Sequence, residues 1–140
     1  MKAKKLTASN TFHVNSEVGK LKRVLVHRPD LSLKRLTPSN CASLLFDDVL
    51  WVQQALWEHD NFVDKLQTRG IEVLFLDTLL TETLGVNDAR SWVLDQTIQE
   101  DTLGENLAKE LRKYLDNKND ADLAKYLIGG LTKAEFKNKF

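Results

Sequence analysis

The sequence predicts an α/β (α+β) chain in which one strand–helix–strand unit precedes a run of helices. Two short apolar runs, Val24-Leu25-Val26 and IEVLFL (71–76), bracket a stretch whose apolar residues recur every three or four positions. After Thr78 no further strand pattern occurs. An apolar content of 42% with 29% charged residues over 140 positions is that of a chain able to bury a core, not of a disordered one.

Residues 1–11 are small, polar and basic and read as a flexible tail. Val24-Leu25-Val26 is β-branched and apolar, the mark of a buried strand, and Pro29 ends it by removing a backbone donor. DLSLKRLTPSN (30–40) is polar, holds a second proline and reads as a loop. A long helix is expected from Asp47 or Asp48 to about Arg69. Its buried face would carry Val49, Val52, Ala55, Leu56, Phe62, Val63 and Leu66. Asp47 and Asp48 are the candidate caps, since carboxylates there accept from free first-turn N–H groups and face the positive end of the helix dipole. Gly70 is placed to close that helix in a left-handed conformation. Whether the two strands pair in parallel or belong to a mixed sheet is left open by the pattern.

The second half reads as helices throughout. TLLTETLG ends at Gly85. NDARSWVLDQTI starts at Asn87 or Asp88 as cap and places Ala89, Trp92, Val93 and Ile98 largely on one side. LGENLAKELRKYLD buries Leu103, Leu107, Leu111, Tyr114 and Leu115, and DADLAKYLIGG ends at Gly129-Gly130. Thr132 followed by Glu135 is a capping box, so a helix starts close to Phe140. A helix that short and a sheet of two strands are both marginal alone, which predicts a fragment of something longer.

Several function classes lack support. The 20 basic and 20 acidic residues cancel, leaving no global field for nucleic acid or an anionic membrane. Lys20, Lys22 and Arg23 are explained by a solvated strand edge. No apolar run approaches a membrane span, and no secretory pattern opens the chain, so the cytoplasm is the default. The loop HRPDLSLKRL has no glycines to wrap a phosphate, and neither zinc nor calcium ligand spacing occurs. Trp51, Trp57, Phe62 and Trp92 sit at helical spacing and make no stacking platform for single strands. Cys41 is the only cysteine. Its neighbours Asp47 and Asp48 disfavour a thiolate, and His13, His27 and His59 are distant in sequence, which favours a partly buried loop side chain over a nucleophile.

Two long stretches, VNSEVGKLKRVLVHRP (14–29) and RLTPSNCASLLFDDVLWVQQALWEHDNFVDKLQTRGIEVLFLDTLLTETL (35–84), resemble the amino-terminal part of bacterial arginine deiminases. The likeness continues more loosely to LAKYLIGGLT (123–132) and so covers about residues 12–132. It implies an enzyme several times longer, built as a five-bladed α/β propeller of the guanidine-modifying kind with an inserted helical domain. Residues 12–77 are then the first propeller module and 78–140 the partial insertion. In that family arginine is hydrolysed to citrulline and ammonia through a covalent intermediate on a cysteine thiol. A histidine moves protons, acidic residues bind the guanidinium, and neither metal nor organic cofactor takes part. Those groups lie in later modules, so the resemblance implies no catalytic residue in this chain and arginine as substrate of the full-length enzyme only. It does imply one substrate contact, Leu45 as a wall of the arginine pocket; Asp47 and Asp48, as helix caps and loop support, rest on the capping chemistry given above. A homo-oligomer suits the family and the open apolar faces alike. The rival expectations are a self-standing interaction module and, more weakly, a minimal enzyme using Cys41.

Overall fold

The structure, a computed structural model, describes Val14 and residues 16–137, with Asn87 and Lys137 described in their backbone only. The expected tail at 1–11 and His13 lie outside the described residues.

Strand β1 (Arg23–Val26) pairs in parallel with β2 (Glu72–Phe75), placing Arg23 opposite Glu72 and Val26 opposite Phe75. The parallel arrangement decides the question that the sequence pattern left open. Arg23 Nε donates to Glu72 Oε2 at 2.6 Å across the paired positions, a cross-strand contact between exposed side chains. Contrary to expectation, β1 is not a buried strand. Its residues alternate between exposed and half-buried, and Leu25 is 54% exposed.

The stretch read as a loop after β1 contains a single helical turn, α1 (Leu31–Lys34), closed by bonds from the Leu33 and Lys34 N–H groups to the Asp30 carbonyl and by a Lys34–Asp30 ion pair. A 3-10 turn at Ala42–Leu44 follows. Helix α2 spans Val52–Thr68 and so starts later than Asp47 or Asp48; its cap is Trp51, with no side-chain bond. The capping role expected of the two aspartates is therefore corrected. Asp48 Oδ1 instead accepts from the Val49 N–H at 2.7 Å, a local bond that competes with helix formation. Val49 consequently lies outside the helix, Phe62 is exposed, and Val63 is the buried residue of α2. Gly70 closes α2 as expected, with φ +74° and the paired bonds Gly70 N–H to Gln67 O and Ile71 N–H to Leu66 O that define a Schellman turn.

Helices α3 (Leu76–Leu84), α4 (Asn87–Thr97), α5 (Glu100–Leu103), α6 (Glu105–Asp116), α7 (Asp120–Gly129) and α8 (Lys133–Lys137) complete the described chain. The boundary expected between 77 and 78 falls inside α3, which continues directly from β2. The core lies here: Leu84, Leu94, Leu115, Leu123 and Ala124 are buried together, flanked by Leu80, Val93, Leu111, Tyr126 and Leu127. On α4 the inward residue is Leu94, fully buried, whereas Trp92 is 64% exposed. The cap of α4 is Val86, with Asp88 in the first turn, so the cap expected at Asn87 or Asp88 is corrected as well. On α6 Ala108 is buried and Leu107 exposed.

Two arginines do the fastening. Arg90 on α4 donates to the Leu115, Asp116 and Lys118 carbonyls at 2.8–3.1 Å and to Asp120 Oδ1 at 2.8 Å. It thereby satisfies acceptors that the end of α6 leaves open. Arg112 on α6 reaches Asp95 and Ser91 on α4. The capping box forms as expected: Glu135 N–H donates to Thr132 Oγ1 at 3.3 Å, and Thr132 N–H to Glu135 Oε2 at 2.9 Å. Phe136 then packs edge-on against Tyr114, ring centroids 5.5 Å apart.

Candidate functional site

The segment from Arg35 to Trp51 is held at its root and bare at its tip. Thr37-Pro38-Ser39-Asn40 makes a turn in which Asn40 Oδ1 accepts from the Thr37 N–H at 2.8 Å and Asn40 Nδ2 donates to the Arg35 carbonyl at 2.9 Å. Leu36 and Cys41 are buried on either side of it. The Cys41 sulfur faces the Pro38 carbonyl at 3.7 Å, and no histidine among the described residues is hydrogen-bonded to it. That is the loop side chain that the residues favoured. Beyond Cys41, Leu44, Leu45, Phe46, Val49, Leu50 and Trp51 are all exposed.

Leu45 stands apart within this run. It is 95% exposed and has φ +63°, alone among the described non-glycine residues in its left-handed conformation. Its N–H bonds to the Ala42 carbonyl, and the Phe46 N–H to the Cys41 carbonyl. This is the same Schellman pairing that Gly70 makes after α2, with a leucine where a glycine ordinarily sits. A Cβ in that conformation costs about 1–2 kcal/mol, and an exposed leucine recovers nothing by burial. Such outliers concentrate at ligand clamps and active sites.

Polar side chains line a cleft at the carboxyl ends of β1 and β2: His27, Arg28, Asp30, Asp77, Glu82 and Lys125. Arg28 donates twice to Asp60 on α2, Nε to Oδ1 at 2.8 Å and Nη2 to Oδ2 at 2.7 Å. The Arg28 guanidinium holds the Asp60 carboxyl at about 2, well below the ordinary carboxylate range. His59 is half-buried, with both ring nitrogens shielded from solvent and without a hydrogen-bond partner among the described residues; Nδ1 lies 3.6 Å from Asp60 Oδ1. Among the described residues no three His, Cys, Asp or Glu side chains gather as a metal ion would need, and no helix is long and apolar enough to cross a membrane.

Of the residues singled out from sequence, Leu45 stands at the exposed tip, with Asp47 and Asp48 just after it in the connection to α2. Arg35 was missed. Its partners, Gly129, Gly130 and Glu135, lie far along the chain, and no local pattern announces such a contact. The backbone angle of Leu45 was equally invisible, because leucine carries no turn signal. The family model described as arginine deiminase matches residues 42–139, which takes in the Leu45 tip, α2, β2 and the whole helical region. The chain belongs to the arginine deiminase family.

Proposed function

We propose that this chain is the amino-terminal, substrate-facing part of an arginine deiminase, and that Leu45 is a wall of its arginine pocket. The observation that carries this reading is the leucine in left-handed conformation at a fully exposed tip. The fold sustains a backbone cost to present an apolar side chain to something other than itself. Placed over a bound guanidinium, such a wall excludes water and strengthens the attraction between that cation and the carboxylates that hold it.

The reaction is the hydrolysis of L-arginine to L-citrulline and ammonia. A cysteine thiolate attacks the guanidinium carbon, ammonia leaves, and water then releases citrulline and restores the thiol. The attacking cysteine, the proton-handling histidine and the guanidinium-binding acids belong to polypeptide outside these 140 residues, within the five-bladed propeller of which residues 12–77 form the first module. Residues 78–140 are part of the helical insertion. The activity is placed in the cytoplasm, where a lone unpaired cysteine is at home. Replacing Leu45 by alanine in the arginine-hydrolysing polypeptide is expected to raise KM for arginine about tenfold; an unchanged KM would refute the wall.

A second reading is favoured by the exposed apolar side chains of β1, α2 and the tip. Leu25, Leu44, Leu45, Trp51 and Phe62 all stand exposed among the described residues. Self-association of two copies through these apolar faces follows, and sedimentation over a range of concentrations tests it: a strictly monomeric profile would dismiss it.

A further inference from the structure

One side chain, Arg35, links the root of the Leu45 loop to the helical region. Arg35, directly after α1, donates from Nε to the Gly129 carbonyl at 2.8 Å and from Nη2 to the Gly130 carbonyl at 3.0 Å and Glu135 Oε2 at 2.8 Å. The two carbonyls end α7, where the helix leaves acceptors open and its dipole is negative. The same Glu135 oxygen accepts from the Thr132 N–H and hydroxyl, so the start of α8 and the grip on Arg35 share one atom. Close packing reinforces the join: a methyl group on Gly129 would lie 2.6 Å from Leu31 Cβ, so only a glycine lets α1 approach α7 this closely.

From Arg35 the connection runs on without a gap. Its carbonyl accepts from Asn40 Nδ2, and the Asn40 carbonyl accepts from the Leu44 N–H at 3.1 Å and the Ser43 hydroxyl at 2.8 Å. Leu45 follows. We infer that Arg35 is a positioning residue for arginine handling: it ties the Leu45 loop to the end of α7 and to Glu135, so that an ordered helical region fixes where the pocket wall stands. This rests on the reading of Leu45 given above.

Hydrogen exchange on the 140-residue chain reads the tether without any assay of turnover. Arg35→Ala is expected to speed exchange of the Cys41, Leu44, Leu45 and Phe46 amides about tenfold or more, leaving those of α4 and α6 unchanged. Arg35→Lys should fall between, since an ammonium cannot span the three acceptors as the guanidinium fork does. Glu135→Gln keeps the shape of α8 and should speed the same loop amides by a smaller factor, although it lies at the far end of the chain. Loop amides indifferent to Arg35→Ala would overturn the proposal. So would loop and helical amides accelerating together while Glu135→Gln leaves the loop untouched. In the arginine-hydrolysing polypeptide, Arg35→Ala should raise KM with a much smaller fall in kcat, and adding it to Leu45→Ala should raise KM no further. Additive effects would contradict action through Leu45. If exchange behaves as expected while Leu45→Ala leaves KM unchanged, the pocket-wall reading fails, and with it the role of Arg35 toward arginine.

Discussion

Helices α3, α4, α6 and α7 close around Leu84, Leu94, Leu115 and Leu123, whereas β1, β2 and α2 enclose Val63 alone. The helical region also satisfies its own ends: Arg90 gathers the carbonyls after α6, and Asn119 caps α7 by accepting from the Asp122 N–H at 2.9 Å. The strand-bearing region leaves Leu25 of β1 and an apolar tip in solvent. Both regions have similar shares of apolar residues to spend on a core. What differs is closure. Several helices can wrap one another within a short stretch of chain, while a two-stranded sheet needs covering elements on its faces and edges. One region thus carries stability of its own, and the other carries surface.

Substitutions should separate the two. The largest effect is expected from Leu123→Ala, which empties a fully buried position and should cost about 2–5 kcal/mol in urea denaturation. Leu25→Ala in β1 should cost less than about 0.5 kcal/mol, since much of that side chain is already in water. Equal costs would erase the contrast. Next comes Leu45→Gly, expected to stabilise the chain by up to about 1 kcal/mol because glycine adopts the left-handed angle without penalty. A gain in stability with a loss of arginine affinity would be the signature of a residue kept for function.

The smallest effect concerns the Arg28–Asp60 pair. The folded-state value of Asp60, about 2, lies below its ordinary 3.8. Its contribution to stability is therefore complete above about pH 4 and disappears as pH falls through about 2. Denaturation of the chain and of Asp60→Asn at pH 6 and pH 2 should show a gap at the higher value only. The pair is exposed, so the gap should be slight; a gap that widens in acid would reverse the assignment.

How far the sequence could be read follows the same division. Periodicity located α2, α6 and α7, and Gly70, Gly130 and the Thr132–Glu135 box marked turns and caps, because each acts over a few residues. The inward choice of Leu94 over Trp92 was not legible, since a large aromatic at helical spacing suits core and surface alike until the neighbouring helices are placed. Asp47 and Asp48 looked like caps, but Asp48 satisfies Val49 locally and the helix waits until Val52. At the candidate site, Leu45 was reached through resemblance, while its left-handed backbone falls on a residue type that carries no turn signal and the Arg35 tether depends on long-range contacts that no window of sequence contains.

As proposed, this polypeptide offers a wall of the arginine pocket while the reacting groups lie elsewhere, a division of labour between two stretches of chain. Citrulline formation by the purified 140-residue chain, supplied with arginine, tests that division most directly. No turnover above the uncatalysed background is expected. Turnover that Cys41→Ala abolishes would place the chemistry within this chain and contradict the proposed division.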